Sequence, residues 1–483
     1  MIRSLFPASG WLTAVWGLSV ALTPPTVQAP AFAPARPNII YILTDDLGYG
    51  DIGPFGQRVI QTPHLDRMAR EGMTFTQHYS TGVCAPSRAA LMTGKHPGNC
   101  EIRGNREHQP HGQLPLSAGA VTVAELLKKA GYRTGLIGKW GLGIENTSGD
   151  PLRQGFDSYY GYLCQVLAHN SYPEFLLRNG RREPLNNVVA YLPASHWSRG
   201  WGSTSSRKVD FANDRFTDEA LRFLDRNRQH PFFLYLAYTV PHDNGEAPET
   251  ERIEVPDLGL YADRTDWSPV ERSYAALISR LDRDLGRLFA HLKQTGLDDR
   301  TLVIFASDNG AAPYGLSRFR SNGPLRGVKR DLYEGGIRVP MIARWPGQIP
   351  ANTVSERPTA LWDFLPTACE LTGVRPPTGT DGRSFAAQLV GKALPGNVLP
   401  EPPYLYFELH EGRASTGQAV RMGRWKAIRM HAPRRPTELY DLSVDVAERH
   451  DVAARFPDVV RQTELIMQRE HTDDPRWPFP KTE

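Results

Sequence analysis

From residue 37 onward, short continuous apolar runs alternate with amphipathic stretches, the pattern of strands joined by crossover helices in a largely parallel sheet. Residues 38–43 (NIIYIL) and 132–138 read as strands, 231–238 (PFFLYLAY) as a buried one, and 301–306 (TLVIFA) as a continuous apolar strand typical of a sheet covered on both faces. Thr62-Pro63 places a cap and a proline at a helix start that Gly72 ends, and Thr122-Val-Ala-Glu125 is a capping box opening a helix closed by Gly131. Residues 216–224 read as helix, and Tyr274, Leu277, Ile278, Leu281, Leu285, Leu288 and Leu292 keep the spacing of a long packed one. The pattern predicts a doubly wound α/β core, a large mostly parallel sheet flanked by helices.

Beyond proline-rich stretches at 374–379 and 395–403, residues 404–408, 419–422 and 425–429 read as short strands with turns, and 459–468 as a final helix. A smaller C-terminal domain of antiparallel strands plus helix is expected, so that 36–375 is the catalytic domain and 376–483 the smaller one.

At the other end, Arg3, an apolar run over 11–22 and a small, proline-rich stretch ending Ala33-Pro34-Ala35 form an export signal over residues 1–35. The run is too short to span a bilayer, so the expected location is periplasmic or secreted, with no stable membrane span. At 40% hydrophobic and 22% charged residues, disorder, collagen and coiled coil are excluded. The net charge of +4 is spread along the chain, which gives no nucleic-acid footprint but suits a small anionic substrate. Four scattered cysteines form neither a disulfide scaffold nor a zinc site. Cys369, inside an apolar helical pattern, is a small buried hydrophobe, whereas Cys100 and Cys164 either pair or stay free.

Ligands gather at the carboxyl ends of strands in such a sheet, and two strands here end in acids, one in Asp45-Asp46 and another in Ser307-Asp308-Asn309-Gly310. Adjacent carboxylates after a buried strand repel unless a cation or proton intervenes. Three Asp and an Asn are hard oxygen ligands, suited to Ca²⁺ or Mg²⁺. Cys84 lies in Cys84-Ala-Pro-Ser-Arg88-Ala-Ala-Leu-Met-Thr93-Gly94, at the start of a short helix, where a thiolate or a bound oxyanion is favoured. Arg88 follows it too closely for the phosphate-cradling loop of a cysteine phosphatase.

Cys-x-Pro-Ser-Arg followed by Thr-Gly resembles the signature of the type I sulfatases of the alkaline phosphatase superfamily, whose cysteine is oxidised to Cα-formylglycine by a formylglycine-generating enzyme. Asp45-Asp46, Gly138-Lys139-Trp140, Val240-Pro241-His242, Ser-Asp-Asn-Gly, Leu325-Arg-Gly-Val-Lys329 and Tyr333-Glu-Gly-Gly-Ile-Arg-Val-Pro340 are similar to the family's other motifs. The resemblance implies that Asp45, Asp46, Asp308, Asn309 and the oxidised Cys84 hold Ca²⁺, that Arg88 orients the Cys84 side chain, and that Lys139, His242 and Lys329 bind sulfate and serve the leaving group. It implies a sulfuric ester hydrolase acting on a sulfated glycan, such as galactose or N-acetylgalactosamine sulfate, or another sulfate ester.

One position departs from the family, in which histidine is common two residues after the lysine of Gly-Lys-Trp; here it is Gly141. His169, in Ala168-His169-Asn170-Ser-Tyr172, is expected to approach from a neighbouring loop and contact the substrate or nucleophile. Arg103-Gly-Asn105 with His108 and His111, and residues 407–413 with His410, Glu411 and Arg413, are candidate sugar-binding segments. Two alternatives stay open, a phosphodiester or phosphonate monoester hydrolase of the same superfamily and a catalytically silent sulfoglycan-binding protein.

Overall fold

The strands at the centre of the structure are entirely buried: all eight residues of β1 (Asn38–Asp45), all ten of β9 (Phe232–Pro241) and all seven of β10 (Thr301–Ser307). Continuous apolar runs of this kind are stable only where both faces of a sheet are covered. The computed structural model describes residues 36–106, 114–192, 202–313, 317–391, 402–412, 415–431 and 435–480. The expected leader at 1–35, His108, His111 and Arg413 lie outside these.

The remaining strands are β2 (Met73–Tyr79), β3 (Arg133–Lys139), β4 (Ser158–Tyr162), β5 (Phe175–Arg178), β6 (Arg181–Pro184), β7 (Val188–Tyr191), β8 (Ser203–Arg207), β11 (Arg338–Arg344), β12 (Thr353–Ser355), β13 (Thr359–Ala360), β14 (Leu405–His410), β15 (Thr416–Met422), β16 (Trp425–Met430) and β17 (Glu438–Asp441). The large sheet runs β12-β2-β11-β10-β1-β9-β3-β4-β5-β6, with β13 also on β2. Its middle, β10-β1-β9-β3-β4, is parallel, whereas β11 pairs antiparallel with β10 and β5 and β6 turn back antiparallel beyond β4. The sheet is therefore mixed at its edges, where periodicity alone gave no strand.

The helices are α1 (Pro63–Arg70), α2 (Cys84–Thr93), α3 (Val123–Lys129), α4 (Ala212–Arg226), α5 (Pro269–Gln294), α6 (Glu334–Ile337), α7 (Phe364–Thr372), α8 (Ala386–Leu389) and α9 (Pro457–Glu470). The capping box at Thr122 and Glu125 is formed, and a second one, Ser268 with Glu271, starts α5. Thr62 does not cap α1 with its side chain; the amides of His64 and Leu65 donate instead to the Asp282 carboxylate of α5, at 3.1 and 2.7 Å. No described helix is long and apolar enough to cross a membrane. All four cysteines are buried, and among the described residues none is joined to another by a disulfide, Cys100 and Cys164 included.

A four-stranded antiparallel sheet, β14-β15-β16-β17, follows near the C-terminus. Its Leu405, Phe407, Leu409, Ala419 and Ile428 share an apolar cluster with Val83 and Ala90 of the α2 segment and with Ile337 and Trp362. Each buried leucine, isoleucine, valine or phenylalanine among them contributes about 1.5–3 kcal/mol, so the small sheet braces the helix that carries Cys84. Lys426, fully buried, bridges Glu334 of α6 and Glu448 at 3.1 and 3.3 Å, and Arg103 meets Glu408 at 2.8 Å.

Candidate active site

Four adjacent parallel strands end at one place and deliver different chemistry there. β10 leads into Asp308 and Asn309, β1 ends in Asp45 before Asp46, β9 leads into His242, and β3 ends in Lys139. Carboxyl ends of such strands are where doubly wound sheets bind ligands. Ligand atoms of Asp45, Asp46, Cys84 and His242 all lie within 4.8 Å of one another. Asp308 joins them by accepting from the Asp46 amide at 3.2 Å, and Asn309 by donating from Nδ2 to Asp46 Oδ1 at 2.7 Å.

Every charge in this buried cluster has a counter-charge. Lys139 Nζ is 2.6 Å from Asp45, Lys329 Nζ 2.7 Å from Asp46 and Arg88 Nη2 2.8 Å from Asp308. Arg88, with no exposed surface, also donates to the carbonyl of Lys139 at 2.7 Å, which ties α2 to the end of β3. Burial alone would raise the Asp45 carboxyl, but Lys139 foremost among the surrounding cations holds it well below the usual carboxylate range. Asp308 goes the other way, to about 7, through burial and the neighbouring Asp45 charge.

The donor set fits a hard divalent cation. Asn309 spends its amide nitrogen on Asp46 and on the Gly310 carbonyl, which leaves its Oδ1 buried without a hydrogen-bond partner beside three carboxylates. An orphaned oxygen in this company is what a cation would satisfy. Asp45, Asp46 and Asp308 balance Arg88, Lys139 and Lys329 in formal charge, so a bound divalent ion would leave the site net positive toward an anionic ester.

Cys84 is the first residue of α2 and donates its thiol to Asp45 Oδ1 at 3.3 Å. Its position at a helix N-terminus does not produce a thiolate. Burial, then the Asp45 charge, push the thiol up to about 12, against the pull of Lys139 and Lys329. The expected thiolate is thus corrected: as a plain cysteine, Cys84 is a poor nucleophile at neutral pH.

His242 presents Nε2 to Asp46 at 3.7 Å and donates from Nδ1 to the carbonyl of Asp243 at 2.7 Å. Burial and the Lys329 ammonium push its imidazole down to about 4. It is therefore neutral at rest, with its lone pair on Nε2. His169 does approach from the neighbouring loop. Its ring stacks on His242 with centroids 4.9 Å apart and 14° between planes, and its Nδ1 meets the Glu246 carboxylate at 3.1 Å.

Gly141 has φ +75°, and a Cβ there would lie 2.4 Å from Nε2 of Gln165. The space beside this position is filled by the Gln165 amide, whose nitrogen is buried without a partner. Gln165 and Glu246 were not anticipated. Neither lies in a motif that carries a signal in the sequence. The candidate segments around Arg103 and Glu411 do meet, since Glu411 accepts from the Asn105 amide.

The chain matches the Sulfatase family over residues 37–374, and the family of N-sulphoglucosamine sulphohydrolase, C-terminal, over 328–470. Mouse N-acetylgalactosamine-6-sulfatase is 34% identical over 412 residues, covering 82% of this chain and 72% of the relative. Human arylsulfatase A is 32% identical over 475 residues, 90% of this chain and 87% of the relative, and mouse steryl-sulfatase is 33% identical over 75% of this chain and 66% of its own. The solved structure of Ps i-CgsB in complex with k-i-k-neocarrahexaose superposes with a TM-score of 0.71 at 28% identity, covering 92% of this chain and 96% of that one. A doubly wound hydrolase fold with an anion-receiving acid and base cluster at its strand ends is thus the class. Within it, the chain belongs to the sulfatase family, the sulfuric ester hydrolases.

Proposed function

We propose that this protein hydrolyses sulfate monoesters of carbohydrate, with Cys84 converted to Cα-formylglycine and a Ca²⁺, or Mg²⁺, at the acid cluster. The observation that carries the reading is the convergence of Asp45, Asp46, Asp308 and Asn309 with Lys139, Lys329 and His242 around the Sγ of Cys84. The cation, held by Asp45, Asp46, Asp308, Asn309 and the oxidised Cys84, would neutralise charge on the sulfate group. An aldehyde at position 84, once hydrated, would provide one hydroxyl for attack on sulfur and a second for the release of sulfate as the aldehyde is restored.

The chain's own residues do the rest. Asp45, already the acceptor of the Cys84 thiol, accepts from the nucleophile's hydroxyl in the same place. Arg88 fixes the Asp308 carboxylate and the end of β3 together. Lys139 and Lys329 are fixed cations beside the transferring group, preorganised at no cost during the reaction. His242 must gain a proton at Nε2 before it can give one to the leaving alkoxide. A bound anionic ester counters the Lys329 charge, the second of the two causes that empty that nitrogen, and so favours its protonation. The overall balance is ester plus water to alcohol plus hydrogen sulfate.

The glycan class rests on the relatives, which include N-acetylgalactosamine-6-sulfatase and a structure holding neocarrahexaose. Sulfate release from 4- and 6-sulfated galactose and N-acetylgalactosamine tests it, alongside an aryl sulfate and an aryl phosphodiester. Release from the sugars, faster than phosphodiester cleavage, is expected. Preference for the phosphodiester would instead make this a phosphorus hydrolase, and tight sugar binding without release by aldehyde-bearing protein would make it a binding protein. Export through the 1–35 leader belongs to the same proposal, and N-terminal sequencing of protein recovered outside the cytoplasm tests it.

A further inference from the structure

Beside Cys84 a chain of hydrogen bonds leads from the nucleophile's helix to the surface. The amide of Ala85, next to Cys84, donates to Asn105 Oδ1 at 3.1 Å, and the amide of Asn105 donates to Glu411 Oε1. Glu411 Oε2 accepts from Nε of Arg330 at 3.0 Å. Arg330 directly follows the site cation Lys329 in sequence, and its own amide donates to the Gly82 carbonyl at 2.9 Å, just before the Cys84 helix. Three segments distant in sequence, one of them at the end of β14 in the small sheet, are thus joined at one rim of the site.

Two features mark Arg330 as more than a surface charge. Its backbone is left-handed, with φ +74°, a conformation that costs a non-glycine residue about 1 kcal/mol or more and persists where the surroundings enforce it. Its side chain is 49% exposed, while its partner Glu411 is 7% exposed. A buried carboxylate therefore holds an accessible guanidinium by one edge, at Nε. That grip sets the plane of the fork, the arrangement suited to a carboxylate or sulfate. Burial weakens its basicity and the Glu411 carboxylate, foremost among its neighbours, more than restores it, so the guanidinium stays charged where it stands.

We propose that Arg330 reads a second anionic group on the substrate, a carboxylate or sulfate carried on the glycan beyond the scissile ester, and that Glu411 and Asn105 are positioning residues for it. The inference rests on the sulfatase reading and adds the substrate's second charge. Kinetics on three substrates test it: an aryl sulfate with no other charge, a sulfated hexosamine joined to a uronate, and a disulfated hexosamine. In Arg330→Gln, KM for whichever charged sugar is the substrate rises by about 10-fold or more, the worth of a charge-assisted hydrogen bond. Its kcat, and the aryl sulfate kcat/KM, stay within about twofold on the same reasoning. Arg330→Lys restores part of the KM, and the uronate and disulfate arms tell which anion is read.

Equal losses on all three substrates would make Arg330 merely structural and overturn the proposal, as would no loss on any. Arg330→Asn, a residue that tolerates the left-handed backbone, guards against a folding defect in the Gln variant. Calorimetric binding of the same charged sugars to Cys84→Ala protein needs no turnover. Weaker binding after adding Arg330→Gln supports the anion subsite even if sulfate release fails, and unchanged binding refutes it.

Discussion

Arg88→Met removes a guanidinium that has no exposed surface and that pairs with Asp308 at 2.8 Å, stands 3.7 Å from Asp45 and donates to the Lys139 carbonyl at 2.7 Å. Methionine fills much of the volume, so the loss is electrostatic rather than a cavity. Breaking a buried pair by deleting one partner costs about 3–5 kcal/mol, because the remaining charge is left uncompensated. Asp308 has an escape, however. Burial and Asp45 already raise its carboxyl to about 7, and without Arg88 it rises further.

The sign of the pH dependence follows. A carboxyl raised above its unfolded value of about 3.9 binds more protons in the folded state, so stability is lost as pH rises from the unfolded to the folded value, by up to about 1.4 kcal/mol per pH unit, and a higher folded value in the variant extends that loss to higher pH. The deficit of the variant against wild type should therefore be larger at pH 8.5 than at pH 5.5. Denaturant unfolding followed by tryptophan fluorescence, with chelator present, reads both quantities. Arg88→Lys, which keeps a charge but cannot serve both Asp308 and the Lys139 carbonyl, should fall between. A shift under about 1 kcal/mol at either pH, or a deficit that shrinks with rising pH, would refute the reasoning, since a broken buried pair is worth several times that.

Other outcomes follow from the same structure. Ca²⁺ at about 100 times its Kd should raise unfolding free energy by about 2.7 kcal/mol, and Asn309→Ala, which deletes the unpartnered oxygen, should weaken that response. His169→Ala should lower turnover and change its pH profile through the stacked His242; identical turnover at every pH would remove His169 from the site. Lys426→Met should destabilise by about 3–5 kcal/mol by leaving Glu334 and Glu448 buried without their cation. His471, whose basicity is raised by its hydrogen bond to Glu408 at 2.8 Å, stabilises the C-terminal segment at pH below about 6.5 and loses that effect as pH rises through its folded value. Hydrogen exchange near Trp477 should accordingly speed up with rising pH beyond the intrinsic rate, and not in His471→Ala.

The buried central strands were legible because a strand covered on both faces is apolar without alternation along its middle, as β1, β9 and β10 are over residues 39–43, 232–238 and 302–306. The edge strands were not: β6 carries Arg-Arg-Glu-Pro and β7 is largely exposed, so neither pairing nor register leaves a period to read. Among the site residues, the acids and Cys84 were visible as local motifs. Lys139 and Lys329 drew their meaning from spacing within longer motifs, and only the fold shows each one on a particular carboxylate. Of the thiolate or bound oxyanion that a helix start favours, the thiolate is removed because burial and Asp45 outweigh the helix end, a competition that depends on three-dimensional neighbours. Gln165 was hidden for a similar reason, since what stands beside Gly141 is set by the loop that folds over it.

The most direct test of the account is peptide mass analysis of Cys84, paired on the same sample with sulfate release, in protein co-expressed with a formylglycine-generating enzyme. An aldehyde at position 84, sulfate release that tracks the fraction of chains carrying it, and no release from Cys84→Ala are expected. Undiminished release by Cys84→Ala, or by wild-type protein bearing only the unmodified thiol, would contradict it.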